Sequence, residues 1–178
     1  QGLPVGDYTR VVREDPTRRG LLYTGTETGI YASWDDGASW IPIQGNLPVV
    51  PVYDLLVKEN DLVAATHGRS FWVLDDLSPL RQVTTDLIEK PLHLMQPRVT
   101  ARLRSPSTSR KPAQGKQYRL SLGADVTYDE VVGPGGETVR RFLDAGENPP
   151  LGVIFTYFLK EKPESDVTLT ITGDDGQL

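Results

Sequence analysis

The stretch Ser33-Trp34-Asp35-Asp36-Gly37-Ala38-Ser39-Trp40 constrains the fold more than any other part of the chain. It joins two strand-like runs, residues 29–32 and 41–43. Asp-Asp-Gly between such runs is a hairpin signal, because glycine supplies the positive φ that a tight turn demands. The Asp35 carboxylate is placed to accept hydrogen bonds from the turn's own backbone, with Ser33 and Ser39 adding hydroxyls. Trp40 is expected to lay its ring under the turn and bury it. Ser33, Asp35, Gly37 and Trp40 are therefore read as a structural set, a self-capped hairpin with an aromatic lock. The loop lacks the acidic spacing of a helix–loop–helix calcium site.

Around this hairpin the chain repeats. Strands are expected at 8–13, 21–26, 29–32 and 41–43, four in about 37 residues. The pattern begins again at 52–57, turns at 58–61, and continues at 62–66 and 71–75, with a fourth strand expected at 92–95. Leu62-Val63-Ala64-Ala65-Thr66 answers Leu21-Leu22-Tyr23-Thr24-Gly25, and Phe71-Trp72-Val73-Leu74-Asp75 answers Ile30-Tyr31-Ala32-Ser33-Trp34, at a period of about 41. Four short strands per repeat suit a propeller blade. The second copy has no Asp-Gly turn: Asp75-Asp76 runs into Leu77-Ser78-Pro79-Leu80, and a short helical turn is expected within 76–89.

Beyond residue 96 the character changes. Seven basic and no acidic residues lie between Gln96 and Arg119, among Ser, Pro and Gly, which reads as a basic linker at 98–117. Further β runs are expected at 118–122, 126–132, 139–143, 153–159 and 167–172. Short strands at this spacing suggest an incomplete β-sandwich module at 118–178, immunoglobulin- or fibronectin-like. The fold expected is all-β. The abrupt end at Asp174-Asp175-Gly176-Gln177-Leu178 suggests a fragment of a longer protein.

The net charge of −5 argues against a nucleic-acid partner. No apolar run is long enough to span a membrane. The absence of cysteine excludes a disulfide framework and thiolate-bound zinc.

The hairpin motif Ser-x-Asp-x-Gly-x-x-Trp at 33–40 resembles the Asp box, or BNR repeat, of β-propeller proteins. Together with Leu22-Tyr23-Thr24-Gly25-Thr26 and the run from Ala65-Thr66-His67-Gly68-Arg69-Ser70-Phe71-Trp72 to Leu80-Arg81, it is similar to the C-terminal portion of bacterial secreted BNR-propeller proteins, the sortilin/VPS10-like group often labelled glycosyl hydrolase. The resemblance implies that residues 1–97 are about the last two blades of a propeller. It also implies export to the periplasm, cell surface or medium. In that family the box carries no catalysis.

The activity expected is therefore non-catalytic binding of a protein, peptide or glycan. The alternative is part of a glycoside hydrolase whose catalytic carboxylates lie outside these residues. The pairs Asp35/Asp36, Asp75/Asp76 and Asp174/Asp175 all sit in turns. No catalytic residue, metal site or cofactor is assigned. His67, Arg69 and Trp72 are the candidate binding residues, since one connection there combines charge, hydrogen bonding and an aromatic face. Open strand edges are expected to pair with the remaining blades or with another subunit.

Overall fold

The computed structural model describes residues 1–101, 128–133, 136, 138–142 and 152–173. Antiparallel strands dominate these residues, with two short helices. The strand expected at 118–122, most of the basic linker and the pair Asp174/Asp175 lie outside them.

The first sheet is a four-stranded meander of β1 (Thr9–Glu14), β2 (Leu22–Thr26), β3 (Ile30–Ser33) and β4 (Ile41–Pro42). The second holds β5 (Val52–Lys58), β6 (Asp61–Thr66) and β7 (Phe71–Leu74) in the same consecutive order. The β5–β6 hairpin closes at Lys58 opposite Asp61, with Glu59 in the left-handed region at φ 57°. The first strand of each sheet bulges near its start, between Thr9 and Val11 in β1 and between Val52 and Asp54 in β5.

One face of each sheet supplies a shared core. From the first come Val11, Tyr23, Ile30 and Ala32; from the second come Leu55, Leu62 and Ala64, with Trp72 and Leu74 packed against them. Each fully buried aliphatic among them contributes about 1.5–3 kcal/mol. The sheets approach closely at Gly25, where an added Cβ would fall 2.8 Å from Val52 Cγ1 of the second sheet and 2.9 Å from Val11 Cγ1 of its own. A side chain at this position would push the sheets apart. The buried Thr24 hydroxyl is satisfied by the Val11 carbonyl at 2.9 Å.

After β7 the chain forms α1 (Ser78–Gln82) and α2 (Thr85–Ile88), where a helical turn is expected from the sequence. The Thr84 side chain caps α2 by accepting from the Leu87 amide at 3.2 Å. Leu92–Leu94 is a strand, β8, but it does not complete the second sheet. It pairs instead with β11 (Tyr157–Leu159), in the register Leu94 opposite Tyr157 and Leu92 opposite Leu159. Lys160 adds an ion pair to Glu89 at 2.7 Å. A separate hairpin joins β9 (Tyr128–Val132) to β10 (Thr138–Phe142). Residues 167–172, expected as a half-exposed strand, are exposed throughout and belong to none of the described sheets. Alternation alone does not make a strand when no neighbour takes up its backbone groups.

Candidate functional site

The turn at 33–40 closes on itself through Asp35. Its Oδ1 accepts from the Ser33 hydroxyl at 2.7 Å and from the Ser39 amide at 2.8 Å, and its Oδ2 accepts from the Ser39 hydroxyl at 2.5 Å. The buried Ser33 Oγ in turn accepts from the Gly37 amide at 2.8 Å. Asp36 and Gly37 both take positive φ, at 58° and 89°. The Ser39 hydroxyl and amide, then the Ser33 hydroxyl, hold the Asp35 carboxyl down to about 2. A carboxylate so engaged is ionised at neutral pH, with these hydrogen bonds made inside its own turn.

Trp40 is half-buried, with its ring near Gly37 and Leu22, and lies outside the core. Trp34 makes the deeper contact. It packs on the core and donates its indole N–H to the Leu80 carbonyl at 2.8 Å.

That contact is part of a polar seam between the first sheet and α1. Asp15 has a fully buried side chain that takes five donors: the Thr17 amide and hydroxyl, the Arg18 amide, the Tyr23 hydroxyl and Arg81 Nε. Burial alone would raise its carboxyl, but the Arg81 and Thr17 hydrogen bonds outweigh it and leave it below the usual range. Burial, and then the Asp15 charge, push the Tyr23 phenol well up, so it stays a donor. Arg18 crosses to the end of α1 and donates to the carbonyls of Leu80 and Arg81 at 2.9 Å and of Val83 at 2.5 Å. A guanidinium there meets the carbonyls at the negative end of the helix.

The sequence-derived candidates fall apart in space by role. Trp72 is committed to the protein: its ring packs against the core and its indole N–H donates to the Arg69 carbonyl at 2.8 Å. The Arg69 side chain is exposed in the turn of residues 67–70, where Gly68 and Ser70 have φ of 83° and 62°. His67 stacks on Tyr53, with ring centroids 5.1 Å apart and planes 4° from parallel. The Arg10 guanidinium lies over the same Tyr53 ring, 4.9 Å from its centroid, and pairs with Glu27.

Arg10 and Tyr53 thus bring together β1 and β5, the edge strands of the two sheets. A few residues on, Arg13 binds Asp54 at 2.6 Å and the Leu55 carbonyl at 3.0 Å. Planar groups with guanidinium and imidazole donors make a column suited to stacking and hydrogen bonding. Tyr53 and Arg10 are not evident from the sequence. The only hint is that each occupies the same early position in its repeat, where it is the residue bulged out of its strand.

Among the described residues no group of three or more His, Asp or Glu is arranged to hold a metal. Nor is any helix among them long and apolar enough to cross a membrane. Burial and the neighbouring Asp61 raise the Asp75 carboxyl. Comparison with protein-family models, curated proteins and solved structures finds no match to this chain.

Proposed function

We propose that residues 1–97 are terminal blades of an Asp-box β-propeller, followed by a β-sandwich, in an exported protein. In this reading they serve as a non-catalytic module that binds a protein, peptide or glycan. The tandem sheets, each a consecutive meander with its first strand beside that of its neighbour, support the architecture. The observation that carries the function is the Arg10–Tyr53–His67 column, exposed where β1 and β5 meet. Rigid aromatic and guanidinium surface of this kind is what binding sites for sugars and peptides use, because little side-chain entropy is lost on contact.

The test is to apply the purified chain to glycan and peptide arrays and to repeat the measurement with Tyr53→Ala and Arg10→Ala. Binding to one ligand class, weakened about tenfold or more by either change, is the expected result. Binding untouched by both changes, binding to neither array, or hydrolysis of a glycan would overturn the reading.

A further inference from the structure

We infer, resting on the binding reading above, that the ligand of the Arg10–Tyr53–His67 column is a neutral linear glycan. It is held by the edges of the stacked groups and by the two ion pairs beside them.

The charges where β1 meets β5 are already matched. Arg10 pairs with Glu27, and Arg13 pairs with Asp54 at 2.6 Å. Asp7, behind Glu27, takes the Glu27 amide at 3.0 Å and the Thr28 hydroxyl at 2.6 Å. A charged ligand of either sign has to compete with these partners, whereas a neutral one does not. Both ion pairs are nonetheless open to solvent. The Arg10 and Glu27 side chains are 44% and 28% exposed, and those of Arg13 and Asp54 are 47% and 63% exposed. Each pair sets N–H donors beside carboxylate acceptors. Neighbouring hydroxyls of a sugar ring use both at once, since every hydroxyl donates and accepts.

The spacing of the column favours sugar rings over peptide. Arg10 Cζ lies 4.9 Å from the Tyr53 centroid, and the Tyr53 and His67 centroids are 5.1 Å apart. Successive pyranose rings of a linear glycan follow one another at much the same interval. An extended peptide rises about 3.3 Å per residue and turns alternate side chains to one face, so its like-facing groups come at twice that interval. They fall out of step with the column. Arg10 and Tyr53 are the bulged residues of β1 and β5, so a ligand following the column crosses from one repeat to the next. With Arg10 and His67 both on its ring, Tyr53 offers its edge and hydroxyl. The His67 amide donates to the Pro51 carbonyl at 2.9 Å, which anchors the far end of the column before any ligand arrives. Groups held in place beforehand lose little freedom on binding.

An acidic ligand is the competing case. It would call on Arg69, which shares a turn with His67 and has no carboxylate partner among the described residues. Calorimetric titration of the whole chain separates the cases. The probes are glucan, mannan and xylan oligosaccharides of graded length, oligogalacturonates, and acidic and neutral peptides. One neutral glycan series is expected to bind, with an affinity that rises with length and levels off once the oligosaccharide spans the column. Salt is expected to change it little, because no net charge is being screened. Tyr53→Ala and Glu27→Gln are each expected to weaken it about tenfold or more. Binding of peptides alone, weakened by Tyr53→Ala, would overturn the inference and leave the binding reading standing. So would binding of oligogalacturonate alone that falls with salt and is lost in Arg69→Ala. Glycan binding indifferent to both Tyr53→Ala and Glu27→Gln, or no binding of any probe, would overturn the inference and the binding reading together.

Discussion

Asp15 and Arg81 meet across the seam between the first sheet and α1, with Arg81 Nε donating at 2.9 Å to a carboxylate that has no exposed side-chain surface. The same guanidinium also donates to the Asn60 side chain at 2.6 Å and to the Glu59 carbonyl at 2.8 Å. One side chain therefore ties the loop after β1, the β5–β6 turn and α1 together. Removing one member of a buried pair leaves the other charge without its counterion, at a cost of about 3–5 kcal/mol. Asp15→Ala is expected to lower the urea midpoint accordingly. Arg81→Lys is expected to recover little, because an ammonium cannot reach three acceptors held in a guanidinium fork. Equilibrium unfolding of Asp15→Ala, Arg81→Met and Asp15→Ala/Arg81→Met gives the coupling between the residues.

Acid acts on the hairpin at 33–40 in a definite direction. Asp35 is held at about 2 in the folded chain, below the value near 3.9 of an unfolded aspartate. Its contribution to stability is therefore complete above the unfolded value. It is lost as pH falls from there through about 2, because the unfolded state takes up the proton first. Asp15, also lowered, adds to the loss in the same direction. Urea midpoints measured from neutral pH down into that acid window are expected to fall. Asp35→Asn is expected to flatten part of the slope without moving its sign.

Gly25 is expected to refuse even the smallest side chain. Alanine there would bring Cβ to 2.8 Å from both Val52 Cγ1 and the Val52 carbonyl, and backbone does not yield as a flexible side chain does. Overpacking of this kind costs about 1–3 kcal/mol. Thermal unfolding of Gly25→Ala checks it.

Ser33→Ala is expected to destabilise more than its size suggests. The hydroxyl is buried, accepts from the Gly37 amide and donates to Asp35. Its loss orphans an amide in a turn that already holds positive φ, at about 1–3 kcal/mol. Chemical denaturation of the variant is the measurement, and slower-exchanging amides at 37–39 in the wild type than in the variant would locate the effect.

The hairpin chemistry is legible from sequence because it is local. Asp35 accepts from residues two and four positions away, and the residue types that do this are few. The repeat is legible for a related reason, since strand alternation at 21–26 and 62–66 has the same source in both copies. The seam is not legible. Asp15 beside Pro16 reads only as a turn, and Arg81 lies 66 residues further on. No local pattern announces that a buried carboxylate waits there. Partner choice is equally hidden: the alternation in β8 marks a strand but carries no signal that Tyr157–Leu159, and not Phe71–Leu74, lies beside it. Of the candidate binding residues, Trp72 is engaged by the core because an aromatic on a strand has two faces to choose from, and the fold turned this one inward. His67 belongs to a stacked column only because Tyr53, far from it in sequence, is placed against it by the β5 bulge.

Trp34 makes the seam optically visible. Three tryptophans are present, and this one ends its indole N–H on the Leu80 carbonyl. When α1 lifts away, that nitrogen passes from a fixed dipole to water, and the emission of the ring shifts to the red. With Trp40 and Trp72 replaced by phenylalanine, the colour of the remaining fluorophore reports whether this contact is kept.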